Sequence, residues 1–163
     1  MKEYIVAIFS SLPDSVATFL IAMIPVTELR ASIPIAITVY GMHPFAAWTY
    51  SVMGNIVAGA IVYYFVEHIL HMILERFAFI NHWWQKYINR LHTQNREKFE
   101  KWGAVALVAF VAIPLPMTGI VTGAIAASIF QIPFRKALPL LALGSVIAGV
   151  IVTFITIGAT SLT

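Results

Sequence analysis

The sequence predicts an all-α integral membrane protein built as an inverted repeat, with a proline-broken helical hairpin and a long transmembrane helix in each half. Three observations predict this fold: an apolar composition, self-similarity between the halves, and prolines inside apolar stretches. Of the 163 residues, 60% are hydrophobic and 10% are charged, and the mean hydropathy is +0.87. A soluble domain carries about 25% charged residues, so the composition excludes a cytosolic enzyme and favours one membrane domain.

The two halves of the sequence repeat one plan: a broken apolar stretch, a short turn and a long apolar helix. A spacing of nineteen residues recurs in both halves: Pro25 to Pro44, and Pro114 to Pro133. The segment GNIVAGAIV, which begins at Gly54, also matches GSVIAGVIV at an offset of ninety residues. We therefore place repeat 1 at about residues 13–76 and repeat 2 at about 103–163 of a single membrane domain, residues 1–163.

Two apolar runs exceed the roughly 20 residues that a membrane-spanning helix needs. They extend from Phe45 to about Arg76 and from Ala137 to about Thr160. Glycine pairs in both runs allow a neighbouring helix to approach closely. Asn55 and Ser145 lie beside these glycines at matching positions. Either side chain can hydrogen-bond across helices, and Asn55 is also a candidate substrate contact.

Prolines and glycines interrupt the apolar stretches at residues 15–40 and 104–130. The candidate break residues are Pro25, Pro34, Pro114, Pro116, Gly119 and Gly123. Proline removes a backbone donor and clashes with the preceding turn, so each stretch is either a kinked full span or a re-entrant hairpin of two half-helices. The hairpin is favoured, because it keeps Arg135 and Lys136 on the cytoplasmic side, with the basic connection at residues 76–101.

The connection between the halves, about residues 77–102, predicts an amphipathic helix at the membrane surface. Its apolar positions recur at helical spacing: Ile80, Trp83, Trp84, Tyr87, Ile88 and Leu91. Tryptophans on the apolar side suit the headgroup level of a bilayer. The nearby histidines are scattered and the sequence has no cysteine, so we expect no metal site and no cofactor. The basic charge indicates a solvated loop and no nucleic-acid partner.

Glu28 and Arg30 are the formal charges that lie deep in apolar sequence, where an ionisable group indicates function. On one α-helix their side chains would point about 200° apart. If the two converge, we therefore expect non-helical chain between Pro25 and Pro34. The pair is either a transport site or a structural ion pair that fixes the hairpin turn.

The second break predicts the opposing surface of this site. Thr118 and Thr122 can hydrogen-bond an ion or a headgroup, and the glycines beside them permit close approach of the backbone. Half-helices that begin here would direct free N–H groups toward the site. In this arrangement Arg30 is a forked donor suited to phosphate or carboxylate, and Glu28 is a candidate proton carrier.

Three segments resemble the bacterial and archaeal family of small multidrug export proteins: TELRASIPIAI from Thr27, the pair Gly54-Asn55, and PLPMTGIVTGAIAA from Pro114. The resemblance covers nearly the whole chain, and ELR followed by IP is its most specific element. The layout is also similar to that of the wider DedA/VTT membrane proteins. That similarity implies paired re-entrant hairpins, a hairpin acid and proton-dependent lipid translocation, although the second hairpin here lacks an arginine.

These observations lead to a hypothesis of a proton-linked transporter or flippase in the cytoplasmic membrane, with several passes. Its substrate would be an anionic lipid or a polyprenyl phosphate, with Glu28 as the acid and Arg30 as the anion contact. One alternative is proton-coupled export of cationic lipophilic drugs, in which Arg30 is only structural. Another is a membrane scaffold that transports nothing. An enzyme is not expected, and the small size is consistent with a homodimer among membrane lipids.

Overall fold

Six helices make up the part of the chain that the computed structural model describes, which is residues 12–76, 86, 96–114 and 118–161. In chain order they are α1 (Asp14–Met23), α2 (Glu28–Thr38), α3 (Pro44–Arg76), α4 (Arg96–Ala112), α5 (Ile120–Ile129) and α6 (Phe134–Thr160). The predicted all-α fold is confirmed. Each half contains two shorter helices followed by a long one.

The long helices α3 and α6 have the length and the composition to cross a membrane. The core helix of a soluble protein can be equally long and apolar, but it is mostly buried. Here only 17% of the most apolar window of α3 and 39% of that of α6 is buried against the rest of the protein. Large apolar side chains such as Phe65 and Phe154 are instead exposed. This surface suits contact with lipid.

Matching glycines set the contacts between each long helix and the first helix of its own half. A Cβ atom added at Gly54 in α3 would lie 2.2 Å from the carbonyl oxygen of Phe19 in α1. A Cβ atom added at Gly144 in α6 would lie 3.0 Å from the carbonyl oxygen of Val108 in α4. The backbones approach so closely that neither position has room for a side chain.

We expect Gly144→Ala to destabilise the protein by about 2 kcal/mol, because the new methyl group would also lie 2.6 Å from Cβ of Val111. Thermal unfolding in detergent micelles, followed by circular dichroism, measures the effect. The matched control is Gly158→Ala in the same helix, where nothing lies within 4 Å of the added atom. Equal unfolding temperatures for the two variants would contradict this account of the packing.

Two of the predicted break residues do not interrupt their helices. Pro34 lies inside α2, and Gly123 lies inside α5. The neighbours of Pro34, Ile33 and Ile35, are buried on packed faces, and this packing keeps α2 helical although the proline lacks a donor. Gly123 instead provides space, since a Cβ atom there would lie 2.6 Å from the Val111 side chain.

The remaining breaks lie where each pair of short helices meets. Pro25 is in the turn between α1 and α2, and Pro114 and Gly119 lie between α4 and α5. The predicted non-helical segment between Pro25 and Pro34 is therefore shorter than expected, because the chain is helical again from Glu28. Pro116 lies outside the described residues, as does the predicted surface helix around residues 80–91 apart from Lys86.

Candidate functional site

The two helix breaks face each other across a cavity of about 590 Å³. The first break contributes Pro25, Thr27, Glu28 and Arg30 to the lining, and the second contributes Pro114, Gly119, Val121 and Thr122. Four of the five predicted binding or coupling residues, Glu28, Arg30, Thr118 and Thr122, are thus brought together at the breaks. Most of the remaining lining is apolar, so the charged groups are the distinctive chemistry of this cavity.

Glu28 belongs to α2 but stabilises the start of α5. Its Oε1 atom accepts a hydrogen bond from the backbone N–H of Val121 at 3.3 Å. The first N–H groups of a helix have no partner within the helix, and the helix dipole favours a negative charge beside them. Glu28 is 7% exposed and has a left-handed φ of 47°, which is costly for a residue with a side chain. The carboxylate is therefore held in place by the tertiary structure.

Gly119 makes room for that carboxylate. A Cβ atom added at this position would lie 1.8 Å from Oε2 of Glu28 and 2.2 Å from Oε1. The φ of Gly119 is −127°, which any residue can adopt, so glycine is needed for space and not for backbone freedom. Its own N–H donates to Oγ1 of Thr122 at 2.9 Å, so Thr122 completes the cap of α5 from inside the cavity.

Arg30 reaches the opposite side of the second break. Its Nη2 atom donates to the carbonyl oxygen of Thr118, and it lies 3.4 Å from the carbonyl oxygen of Ile113, the residue after α4 ends. Oγ1 of Thr118 donates to the same Ile113 oxygen at 2.8 Å. Free carbonyl groups and the negative end of the dipole at the end of a helix favour a cation. The guanidinium group therefore stabilises the end of α4.

The two charges thus act on different helix ends, which explains their spacing in the sequence. Positions i and i+2 at the start of a helix point in nearly opposite directions. Glu28 reaches the N-terminus of α5, and Arg30 reaches the C-terminus of α4. Sequence reasoning could not identify most of their partners, since these are mainly backbone groups of Val121, Thr118 and Ile113. Neither residue type carries a motif for such a contact.

Asn55 lies apart from the cavity lining. It is 1% exposed, and its Nδ2 atom donates to Oγ of Ser145 at 3.2 Å, joining α3 to α6. The predicted bond across helices is therefore present. A second polar contact, which no sequence pattern indicated, joins α2 to α3, where Oγ of Ser32 donates to Oγ of Ser51 at 2.8 Å. Serine is common in apolar helices, so only its place at a helix contact could have indicated this bond.

The described residues define an all-helical protein with two apolar helices long enough to span a bilayer and a charged site between two helix breaks. Residues 28–151 match the family described as "Putative small multi-drug export protein", and the chain belongs to this family. The match begins at Glu28, just after the first break, and it includes the second break. Neither the curated proteins nor the solved structures give a match. Family and composition together assign the protein to a membrane, and the similarity to DedA/VTT proteins stays a prediction.

Proposed function

We propose that the protein exports cationic lipophilic compounds in exchange for protons, with Glu28 as the group that binds either one. The observation that carries this proposal is a buried carboxylate on the wall of a largely apolar cavity of about 590 Å³. An intramembrane carboxylate indicates an ion or substrate pathway, and a cavity of this volume accommodates a drug-sized molecule. The family description supports the same class of substrate.

The contacts of Arg30 favour export of a cation over translocation of an anionic lipid, which was the first hypothesis from the sequence. A phosphate site would use the guanidinium fork for the substrate. Here Nη2 of Arg30 donates to backbone oxygens at the second break, which supports a structural role for this residue. Glu28 then supplies the charge that a cationic substrate meets.

Exchange would follow from competition for one carboxylate. When Glu28 is ionised, it caps α5 and presents a negative charge to a cation in the cavity. When Glu28 takes up a proton, that attraction is lost and the charge-assisted bond to Val121 weakens. The cation leaves, and the second break becomes free to rearrange. One carboxylate therefore couples release of the substrate to entry of a proton.

A second candidate is translocation of an anionic lipid or polyprenyl phosphate headgroup. The observation in its favour is that the N-terminus of α5 is directed at the cavity, since Val121 N–H already binds a carboxylate there. Helix N-termini also bind phosphate. In this case the headgroup would replace Glu28 at the start of α5. The non-transporting scaffold remains the hypothesis of another class.

We further propose that the halves are inverted copies in the cytoplasmic membrane, each with a re-entrant hairpin and one crossing. α1 has 10 residues and α2 has 11, so each extends about 16 Å, or half the hydrocarbon thickness. Asn55 and Ser145 are ninety positions apart, occupy matching places in the repeat and contact each other. Such a contact supports a two-fold axis between α3 and α6. Broken helices that meet at such an axis are a recurring transporter plan.

Flux assays in proteoliposomes test the proposed function. When a pH gradient is imposed, we expect wild-type protein to move tetraphenylphosphonium in the direction opposite to the proton flow. We expect Glu28→Gln to reduce this movement to the rate of empty liposomes. Glutamine keeps the size of the side chain and an oxygen for Val121 N–H, so the loss would reflect the missing charge. The control is Glu67→Gln, which removes a carboxylate from α3 outside the cavity lining and should leave the flux unchanged.

The same vesicles distinguish the alternatives. Fluorescent phosphatidylglycerol reports headgroup translocation. Translocation of this lipid without tetraphenylphosphonium flux would contradict drug export and favour the second candidate. Absence of both fluxes in folded wild-type protein would favour the scaffold.

A further inference from the structure

The turn between α1 and α2 is held by the hydroxyl group of Thr27. Oγ1 of Thr27 donates to the carbonyl oxygen of Ile21 at 2.8 Å and lies 3.3 Å from that of Ile24. The last carbonyl groups of a helix lack partners in the regular helix pattern, and a nearby hydroxyl group supplies one. Thr27 also lines the cavity between the breaks and directly precedes Glu28. A side chain at the cavity therefore bonds the end of α1 to the start of α2.

Thr27 does not act as an ordinary helix cap. A threonine before a helix usually accepts a hydrogen bond from the second or third N–H group of that helix. The side chain of Thr27 makes no such bond to α2 and donates back to α1 instead. The backbone N–H groups of Thr27 and Glu28 also donate to the carbonyl oxygen of Ile24, at 3.1 and 2.9 Å. Together these bonds fix the direction in which the chain enters α2.

The residue after Thr27 has a backbone conformation that needs such support. Glu28 has a left-handed φ of 47°, which is unfavourable for a residue with a side chain. A conformation of this kind persists only where the surrounding structure imposes it, and it is common at functional sites. Here the bonded turn holds Glu28 from one side, and the bond from Val121 N–H to its carboxylate holds it from the other. A right-handed φ would direct the carboxylate elsewhere.

We propose that Thr27 is a positioning residue for Glu28. Its hydroxyl group holds the turn that keeps Glu28 left-handed, and it thereby directs the carboxylate at the start of α5. The inference rests on the proposed function, in which this carboxylate binds the cation or the proton. The second break has a similar bond, since Oγ1 of Thr118 donates to the carbonyl oxygen of Ile113 at 2.8 Å. At the first break the next residue is the acid, so the position of the acid depends on the bond.

Hydrogen exchange at the Val121 amide tests the proposal without any transport. Thr27→Val removes the hydroxyl group and keeps the branched shape of the side chain. We expect the Val121 amide to exchange about tenfold faster in Thr27→Val, the effect of one or two neutral hydrogen bonds, and Thr27→Ser to keep the wild-type rate. A merely structural role would change exchange in the α1–α2 turn but not at α5. Thr38→Val is the matched control, since it removes a hydroxyl bond to Pro34 within α2 and should leave Val121 unchanged.

Tetraphenylphosphonium flux gives the functional measurement. We expect Thr27→Val to lower the flux about tenfold and Thr27→Ser to keep it. If Thr27→Val does not fold, Thr27→Ala removes the same hydroxyl group. Wild-type exchange at Val121 in the variant without the hydroxyl group, or equally fast exchange in Thr27→Ser, would overturn the proposal. If wild-type protein moves no tetraphenylphosphonium, the proposed function fails, and the exchange rates still decide whether Thr27 positions Glu28.

Discussion

Gly119→Ala is expected to impair transport severely while the two long helices remain folded. The added methyl group would lie 1.8 Å from a carboxylate oxygen of Glu28, far inside van der Waals contact. The backbone around Gly119 is fixed by the cap of α5, so Glu28 is the group that must move. Once displaced, the carboxylate loses its bond to Val121 N–H, and the left-handed backbone of Glu28 loses its support. The cavity then lacks a positioned negative charge.

We expect the tetraphenylphosphonium flux of Gly119→Ala to fall roughly a hundredfold, which corresponds to about 2.7 kcal/mol. The unfolding free energy should fall by about 2 kcal/mol, the usual cost of overpacking. Gly103→Ala is the matched control, since nothing lies within 4 Å of an added Cβ there. Normal flux in Gly119→Ala would show that the position of Glu28 at α5 is unimportant. If a second substitution, Glu28→Asp, restored flux to Gly119→Ala, the steric explanation would gain support.

The sequence predicted the starts of the long helices to within three residues. The first was expected from Phe45, and α3 begins at Pro44 and is helical through Arg76, the last described residue of this segment, because a long run of apolar residues after a turn leaves few alternatives. The second was expected from Ala137, yet α6 begins at Phe134. Arg135 and Lys136 were placed before the helix because they are charged, but in the first turn of a helix their long side chains can still reach water.

The breaks were predicted less well, because local propensity and tertiary packing compete there. Proline costs about 3 kcal/mol in a helix interior, so Pro34 indicated a break. Burial of Ile33 and Ile35, at about 1.5–3 kcal/mol each, is enough to outweigh that cost. Pro25 lacks such buried neighbours on both sides, since Val26 is 86% exposed, and there the helix does end.

The sequence indicated which residues lie together at the cavity, but it did not indicate the contacts that they make there. Two charges in apolar sequence and a matching uncharged break were sufficient to select Glu28, Arg30 and Thr122. The decisive contacts are to backbone atoms, which have no sequence signature. Gly119 is the one indication of these contacts in the sequence, since a residue with a side chain would collide with Glu28 at this position. The role of Asn55 was left open for a similar reason, because one amide serves a helix contact and a ligand equally well.

Arg30→Ala is expected to loosen the second break more than any other single truncation at the cavity. The guanidinium group donates to the carbonyl oxygen of Thr118 and lies within hydrogen-bond distance of that of Ile113. A hydrogen bond to a charged group contributes about 1.5–3 kcal/mol, and the longer contact to Ile113 adds less, so we expect a loss of about 3 kcal/mol in the unfolding free energy. Without Arg30, the carbonyl groups after α4 also lose the cation that offsets the helix dipole.

Hydrogen exchange at the backbone amides gives the local measurement, with thermal unfolding as the global one. In Arg30→Ala the amides of Gly119 and Val121 should exchange much faster, whereas those in the middle of α3 should not change. Arg30→Lys keeps the charge but replaces the planar fork by one ammonium group, so it should recover about half of the lost stability. Thr118→Ala, which removes a hydroxyl bond of 2.8 Å to Ile113 but no charge, should cost about 1 kcal/mol. Unchanged exchange at Gly119 in Arg30→Ala would contradict a structural role for the guanidinium group. It would favour the hypothesis in which Arg30 contacts an anionic substrate.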